Sequence, residues 1–221
     1  MKIKNIALVG NPNCGKTSLF NTLTGTRQKV ANYAGVTVER KEGSFKLPSG
    51  DAVRVLDLPG TYSLKPSSLD EEVTRAVCLG ELKGEILPDI FICVVDATNL
   101  SLHLSLVLEV RALNRPMILV LNMMDEVKKR GISIDKDKLS QLLGIPVVEA
   151  VAVKTKGIQD LINQLDQKNL FITPYHAELS HFEQVKQITK QVILNNDNGD
   201  KRTAFLDKIF WWCFKKYADI K

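Results

Sequence analysis

One segment near the start of the chain, Gly10-Asn11-Pro12-Asn13-Cys14-Gly15-Lys16-Thr17, restricts the fold more than any other. It matches the pattern Gly-x-x-x-x-Gly-Lys-Ser/Thr, follows an apolar run at residues 3–9 and precedes a helical pattern at residues 18–23. In that setting the glycines allow consecutive backbone N–H groups to turn inward around an anion, and the helix N-terminus adds partial positive charge. The segment predicts a phosphate-binding loop between the first strand and the first helix.

The side chains of this loop indicate a nucleotide and a magnesium ion. Lys16 is expected to contact the β- and γ-phosphates, and the Thr17 hydroxyl to bind Mg²⁺. A glycine-rich turn that binds nothing would leave Lys16 unexplained, because a helix N-terminus repels a cation. The predicted nucleotide contacts in this region are Asn11, Asn13, Cys14, Gly15, Lys16, Thr17 and Ser18.

Apolar runs alternate with helical patterns along the first 170 residues, which predicts an α/β fold. The strand-length runs are uniformly apolar, as in buried parallel strands. One pair is an exception in direction, because Pro48-Ser49-Gly50-Asp51 between them predicts an antiparallel hairpin. We predict a six-stranded, mostly parallel sheet with helices on both faces. The predicted strands are residues 3–9, 36–47, 52–58, 89–95, 116–121 and 146–151, and the helices are 18–23, 101–113, 136–143 and 158–165.

After about residue 170 the strand signal stops and only helical spacing remains. We predict a nucleotide-binding domain over residues 1–170 and a small all-helical domain over residues 171–221. Because the helical pattern continues to Lys221, we expect the chain to be a fragment of a longer protein. The residues with helical spacing are Leu179, Phe182, Val185, Ile188 and Val192, and then Phe205, Ile209, Trp212 and Cys213.

Composition limits the setting in which such a chain acts. No run approaches the roughly 18 apolar residues of a membrane helix, no signal peptide is visible, and the four cysteines lack metal-site spacing, so we expect a soluble cytoplasmic chain with reduced thiols. The net charge is +5, and residues 201–221 hold six Lys or Arg against two Asp. This basic end is either a solvated helix face or a surface near an acidic partner such as a membrane or nucleic acid.

Two further motifs lie where they could complete a γ-phosphate site. Asp57, at the end of an apolar strand, is placed to hold Mg²⁺ through water, and the N–H of Gly60 to reach the γ-phosphate. Thr37 lies between the two motifs; we predict that its hydroxyl binds Mg²⁺ and its N–H the phosphate, although an ordinary strand threonine is the alternative. Gly35 and Val36 are predicted contacts beside it. The loops at residues 27–40 and 59–70 would be ordered by the γ-phosphate and released after hydrolysis.

The base pocket is predicted from Asn122-Met123-Met124-Asp125, which follows the strand at residues 116–121. The Asp125 carboxylate can accept hydrogen bonds from guanine N1–H and the 2-amino group, neither of which adenine offers. Asn122 would support the loop, and Met123, where a lysine is usual, can cover the base. The residues after the last strand, Val151, Ala152 and Val153, form a weaker signal in which the Ala152 N–H would reach guanine O6.

Together these motifs resemble those of the P-loop GTPases with the small-GTPase (Ras-like) fold. The segments GNPN at residues 10–13, NYAGVTVERKEG at 32–43, DLPGTYSL at 57–64 and VDATNL at 95–100 more narrowly resemble the N-terminal cytosolic domain of the bacterial ferrous iron transport protein B (FeoB) family. The resemblance implies hydrolysis of GTP to GDP and phosphate, and a helical domain linked to control of nucleotide dissociation. It also implies a membrane transport domain in the same polypeptide, at the cytoplasmic face of the bacterial inner membrane, whose uptake of ferrous iron this domain regulates or drives.

The resemblance also implies a potassium ion near the phosphates. Asn13 occupies the position of the K⁺-binding asparagine in potassium-activated GTPases, and backbone carbonyls around Asn32 and Tyr33 would complete the site; alternatively, Asn13 only braces the loop. Thr61 replaces the glutamine that orients water in Ras-like enzymes, so we expect slow intrinsic hydrolysis and assign no general base. The predicted catalytic set is Asn13, Lys16, Thr37 and Gly60.

Two alternatives remain at this stage. The first is a soluble GTPase that acts on RNA or the ribosome through the basic end, although no RNA-binding motif is visible and we expect no nucleic-acid partner. The second is a module that binds nucleotide without turnover. The three histidines, His103, His176 and His181, lie outside every motif and are expected to be surface or packing residues. No ligand cluster for Fe²⁺ is visible, and the oligomeric state is open.

Overall fold

The computed structural model describes residues 3–25, 28–150, 155–167, 175 and 179–195. Within these ranges a central sheet of seven strands has the order β2-β3-β4-β1-β5-β6-β8, and a separate pair is formed by β7 and β9. The strands are β1 (Asn5–Gly10), β2 (Gln28–Asn32), β3 (Glu39–Lys46), β4 (Ala52–Asp57), β5 (Ile90–Asp96), β6 (Met117–Asn122), β7 (Ile132–Ile134), β8 (Val147–Glu149) and β9 (Ile193–Asn195).

The pairing of the strands brings the chemically important chain ends together. Strands β4, β1, β5, β6 and β8 are parallel neighbours, whereas β3 runs antiparallel to β4 and β2 antiparallel to β3. The carboxyl ends of the parallel strands therefore meet at one edge, where Gly10, Asp57, Asp96 and Asn122 end their strands. Ligands of open α/β sheets bind at this edge.

Helices cover both faces of the central part of the sheet, where strands such as β1, β5 and β6 are buried on both sides. In β1, Ile6 and Leu8 belong to one buried cluster with Leu19 and Phe20 of the first helix, while Ala7 and Val9 belong to the other. The helices in the described ranges are α1 (Lys16–Thr24), α2 (Leu69–Leu79), α3 (Leu100–Arg111), α4 (Met124–Lys129), α5 (Lys136–Leu143), α6 (Thr155–Asp166) and α7 (His181–Val192).

The predicted fold class is confirmed, with local differences in the elements. The sheet has one strand more than predicted, because β2 forms at residues where we expected only a loop. The predicted strand at residues 36–47 begins at Glu39, and the predicted hairpin pairs β3 with β4 in antiparallel register. Helices α2 and α4 and the short strand β7 were not predicted.

The segment after residue 170 departs from the all-helical expectation in one respect. Helix α7 is present as its spacing predicts, but β9 follows it and pairs antiparallel with β7, so that Ile193 lies opposite Ile134. Val185, Ile188 and Val192 of α7 are buried in the same cluster as residues of α3. The division into domains at residues 170 and 171 stays a prediction, and the predicted helix around residues 205–213 lies outside the described residues.

Candidate functional site

The loop between β1 and α1 is shaped by glycines that leave no room for a side chain. A Cβ on Gly10 would lie 2.8 Å from Cys14 Sγ and would overlap the carbonyl oxygen of Val94. Gly15 has a φ of 88°, and a Cβ there would overlap the Nδ2 atom of Asn122. The loop can therefore approach β5 and Asn122 closely only with glycine at both positions.

The same loop contains two residues with a left-handed backbone directly before α1. Asn13 has a left-handed φ of 62°, and Gly15, also left-handed, precedes the helix without a side chain that could cap it. Left-handed residues that alternate with helical ones turn successive N–H groups to one side, and the uncapped first turn adds further donors. These backbone features fit the anion-binding loop that the motif predicts, and anion binding itself stays a prediction.

Three predicted phosphate and magnesium residues meet beside this loop. Lys16 Nζ forms a buried ion pair with Asp57 Oδ1, and the Thr17 hydroxyl donates a hydrogen bond to Asp57 Oδ2 at 3.0 Å. They line a cavity of about 230 Å³ whose other walls include Val38, Glu39 and Gly60. Because Thr17 Oγ1 and the Asp57 carboxylate are adjacent oxygen donors, the ligand type that Mg²⁺ prefers, these residues fit a magnesium ion.

Thr37 is not among the residues that line this cavity. It is exposed, in a bend closed by hydrogen bonds from Tyr33 N to Val38 O at 3.0 Å and from Val36 N to Tyr33 O at 3.2 Å. Gly35, with a φ of 81°, lies in the same bend. The assignment of Thr37 to Mg²⁺ and to the γ-phosphate therefore stays a prediction that requires this bend to rearrange.

Gly60 lies directly against the phosphate-binding loop. A Cβ on Gly60 would be 3.1 Å from both Cα and N of Pro12, and the following Thr61 N donates to Gly10 O at 3.2 Å. Thr61 itself is fully buried, and its hydroxyl donates to Ser63 O at 2.6 Å. The structure brings Gly60 to the cavity and turns the residue after it away, so Thr61 has no place from which to orient water.

Asn122 connects the predicted base pocket to the phosphate loop. Its Nδ2 donates to the carbonyl oxygen of Cys14 at 2.9 Å, as expected of a residue that supports the loop. Met123 adopts a left-handed φ of 60° and precedes α4, whose first turn contains the half-buried Asp125. The other predicted base contacts, Val151, Ala152 and Val153, lie outside the described residues.

The ionisable groups around the site show which of them serve only packing. Burial raises the pKa of the Cys14 thiol to about 11 despite nearby Lys16, so the thiol is uncharged and packs in the core. Burial lowers the pKa of His103 although Asp96 partly opposes this, and its Nδ1 accepts a hydrogen bond from Asp96 N at 3.4 Å. His103 is therefore a packing residue, as the sequence analysis expected.

Two carboxylates that the sequence analysis did not single out hold the loop after Gly60. Glu71 of α2 accepts hydrogen bonds from Ser67 N at 2.9 Å and from Ser67 Oγ at 2.7 Å. Glu109 of α3 accepts from Ser63 Oγ at 2.9 Å. The Ser-x-x-Glu pattern at residues 68–71 is a recognisable helix start that could have indicated α2. Nothing local to residue 109 indicates its contact, since the partner is more than forty positions away.

The described residues contain neither a metal-type group of His, Cys, Asp and Glu side chains nor a helix long and apolar enough to cross a bilayer. What they do contain is a glycine-shaped loop between a strand and a helix, a buried Lys16–Asp57 pair beside Thr17, and a second loop in contact at Gly60. With the mostly parallel sheet that positions them, these features define a P-loop GTPase fold.

The family follows from comparison with known proteins. The family model described as ferrous iron transport protein B, FeoB_N, matches residues 4–165, and the chain belongs to this family. It is 46% identical over 188 residues to the Fe(2+) transporter FeoB of Salmonella typhimurium and 45% identical to that of Escherichia coli K12. Each alignment covers 83% of this chain but 23% of the relative, so the chain spans about a quarter of the length of these relatives.

Solved structures of the same family share the fold. The cytosolic domain of L. pneumophila FeoB is 32% identical with a TM-score of 0.79, and the alignment covers 87% of this chain and 100% of that one. Two structures of the cytosolic domain of the T. maritima FeoB iron transporter, a GDP form and a GMPPNP form, are each 32% identical, with TM-scores of 0.77 and 0.76. They cover 86% and 87% of this chain and 99% and 100% of their own.

Proposed function

We propose that this chain binds GTP with Mg²⁺, hydrolyses it slowly to GDP and phosphate, and thereby regulates or drives ferrous iron uptake by a membrane transport domain of the same polypeptide. The observation that carries the proposal is the meeting of Lys16, Thr17 and Asp57 at a cavity beside the start of α1. The relatives named Fe(2+) transporter support the link to iron, and for that reason we do not propose the RNA-associated alternative.

Guanine is the proposed base. The T. maritima relatives in GDP and GMPPNP forms support a guanine nucleotide, and Asp125 offers the carboxylate that guanine N1–H and its amino group require. Asn122 links this pocket to the phosphate loop through Cys14 O, so base and phosphate contacts share one rigid support. Met123, Val151, Ala152 and Val153 are proposed further contacts on the base side.

Binding of the triphosphate would change the partner of Lys16. In the described structure Lys16 forms an ion pair with Asp57. Beside a γ-phosphate, Lys16 Nζ would contact phosphate oxygens instead, and the Asp57 carboxylate would become available to Mg²⁺. Thr17 and Asp57, joined by Thr37, would hold Mg²⁺, which supplies electrostatic stabilisation of charge on the phosphate oxygens. The Gly60 N–H and the N–H groups of residues 13–18 would stabilise the same charge.

The slow rate of GTP hydrolysis is attributed to Thr61, the residue after Gly60. Thr61 is buried with its hydroxyl bonded to Ser63 O, so no side chain at this position orients the attacking water. A potassium ion is the proposed substitute for a positive residue, held by the exposed amide of Asn13 and by carbonyls at Asn32 and Tyr33. Tyr33 O accepts a bond from Val36 N and has a second lone pair for a cation. Single-turnover hydrolysis in K⁺ and in Na⁺ tests this part.

Replacement of Lys16 tests the central assignment. We expect Lys16→Ala to reduce GTP affinity, measured by calorimetry with Mg²⁺, by at least about tenfold, because a buried charge that contacts phosphate is lost. Hydrolysis should fall at least as much. The matched control is Lys186→Ala, an exposed lysine on α7, which should bind and hydrolyse GTP normally. Normal turnover in a folded Lys16→Ala protein would show that the phosphate site lies elsewhere.

A further inference from the structure

The loop at residues 61–68, which joins Gly60 to α2, is held by carboxylates from two different helices. On the α2 side Glu71 accepts hydrogen bonds from Ser67 and lies 3.2 Å from the Thr61 hydroxyl. Burial raises the pKa of Glu71, but the hydrogen bonds from Ser67, Tyr62 and Thr61 outweigh it and the pKa lies below its usual value. Glu71 is therefore an anion that organises the loop from its own helix.

The second carboxylate connects the loop to a different element. Both oxygens of Glu109, on α3, lie 2.9 Å from Ser63 Oγ, and Glu109 Oε2 also accepts a hydrogen bond from Leu64 N. A charged acceptor forms stronger hydrogen bonds than a neutral one, and the backbone donor restricts the chain itself and not only a side chain. Glu109 thus fixes the first half of the loop at Ser63, three residues after the cavity-lining Gly60.

The position of this half of the loop controls the position of Gly60. Gly60 is pressed against Pro12, and Thr61 N is bonded to Gly10 O, so the chain between the cavity and Ser63 is short and anchored at both ends. If the anchor at Ser63 and Leu64 were lost, the chain around Gly60 would be held only by α2 and by the phosphate-binding loop, and no longer by α3. A displacement of about 1 Å in a positioning element can reduce a catalysed rate by as much as about 100-fold.

The last turn of α3, which contains Glu109, is attached both to α5 and to the segment that follows the seven-stranded sheet. Arg111 Nε donates to Leu143 O at 3.0 Å, and its guanidinium lies 5.3 Å from the centre of the Tyr175 ring. Asn114, just after the helix, accepts from Tyr175 N at 2.9 Å, and the Tyr175 hydroxyl is bonded to Gln184 of α7. Helix α3 is therefore fixed at this end, which makes it a firm support for Glu109.

We propose that Glu109 is a positioning residue for GTP hydrolysis, which fixes the 61–68 loop to α3 and so holds Gly60 in place against the phosphate-binding loop. The inference rests on the proposed GTPase function and adds to it a residue outside all the nucleotide-binding motifs. Glu109 does not touch the nucleotide. Its effect should therefore fall on the rate of hydrolysis and not on nucleotide affinity.

The test uses Glu109→Gln, Ser63→Ala and the variant that combines both. The control is Glu81→Gln, the same change at an exposed glutamate whose side chain pairs only with Arg75 among the described residues. We expect Glu109→Gln to lower the single-turnover hydrolysis rate at saturating GTP at least about fivefold. Its GDP affinity, measured by calorimetry, should remain within about twofold of the parent. Ser63→Ala should lose less, because the Leu64 N bond remains, and the double variant should match Glu109→Gln alone. Glu81→Gln should behave like the parent.

Each outcome decides the proposal. A parental or faster rate in Glu109→Gln overturns it, as does an equal loss of rate and GDP affinity, which would indicate a general structural role. If Glu109→Gln does not fold, the proposal depends on Ser63→Ala, and a parental rate there overturns it. If the parent protein itself binds no GTP or does not turn it over, the proposed function fails and not the role of Glu109 alone.

Discussion

Gly15 and Asn122 lie where the proposed base pocket meets the phosphate-binding loop. The Asn122 amide donates to the carbonyl of Cys14, and the space that a side chain at residue 15 would need is filled by that same amide. Residue 15 must therefore be glycine for two separate reasons, which are its left-handed φ of 88° and the close approach of Asn122. The motif predicts the first from its loop conformation, whereas the second is visible only in the fold.

These two requirements can be separated by comparing Gly15→Ala with Gly50→Ala. Gly50, in the hairpin between β3 and β4, has nearly the same φ of 87° but nothing within 4 Å of the added Cβ. Gly50→Ala should lose about 1–2 kcal/mol of unfolding free energy from backbone strain and keep GTP binding. Gly15→Ala should lose more stability and most of its GTP affinity.

Urea unfolding with calorimetry on the same samples measures both effects. Equal stability losses and equal GTP affinities in the two variants would show that Asn122 does not constrain residue 15. Such a result would also weaken the link between the base pocket and the phosphate loop.

At the scale of elements, the buried strands were predictable and the segments around the cavity were not. Strands such as β5 and β6 are uniformly apolar because helices cover both of their faces, and this leaves a direct signal. All residues of β2 are exposed, so its strand state comes from backbone pairing with β3 and leaves no apolar pattern. Likewise α2 has a polar, acidic first turn, and only its Ser68 cap marks it.

The site shows the same division between local and non-local information. The loop motif and Asp57 were predicted because their chemistry depends on spacing along the chain, and the fold brings them together as expected. Glu71 and Glu109 were missed because their role depends on which helices pack beside the 61–68 loop. Thr37 was placed by its motif, but the bend that contains it is set by hydrogen bonds that involve Tyr33, which a motif does not encode.

Helix α3 is tied to the end of β5 by a titratable group, which makes the attachment sensitive to pH. The buried Nδ1 of His103 accepts from Asp96 N, and burial lowers the pKa of His103 below its usual 6.5. The unfolded chain therefore binds a proton more readily than the folded one between these two pKa values. The stability that this histidine contributes is fully present above pH 6.5 and is lost as the pH falls through the folded-state pKa.

The variant His103→Asn tests this sign, because asparagine keeps an acceptor near the Nδ1 position and does not titrate. The parent should lose unfolding free energy below about pH 6.5 with a slope of at most about 1.4 kcal/mol per pH unit from this group, and His103→Asn should lose that part of the slope. Denaturant titrations at a series of pH values measure it. His181→Asn, at the start of α7, provides the same substitution outside this contact for comparison. An unchanged slope in His103→Asn would mean that the loss of stability has another source.

At the scale of the whole molecule, the described part of the helical segment is continuous with the nucleotide-binding fold. Val185, Ile188 and Val192 share a buried cluster with α3, and β9 pairs with β7, so α7 has no separate core in the described residues. A close-packed interior transmits displacements between its elements. A change at the cavity that moves α3 would therefore also reach α7.

The coupling of nucleotide to transport can be tested by changing which nucleotide the full-length protein accepts. Asp125→Asn replaces a carboxylate, proposed to accept from the guanine amino group, by an amide that can donate to the 2-carbonyl of xanthine. Since a site built on such hydrogen bonds rejects a mismatched base strongly, GTP affinity should fall by at least about 100-fold and xanthosine triphosphate should take its place.

We expect ferrous iron uptake into vesicles that contain the full-length Asp125→Asn protein to respond to xanthosine triphosphate and no longer to GTP. Asp137→Asn, at an exposed aspartate in the first turn of α5, should keep the response to GTP. If the Asp125→Asn protein still responded to GTP as the parent does, Asp125 would not select the base; if it bound xanthosine triphosphate without any change in uptake, nucleotide state would not control transport.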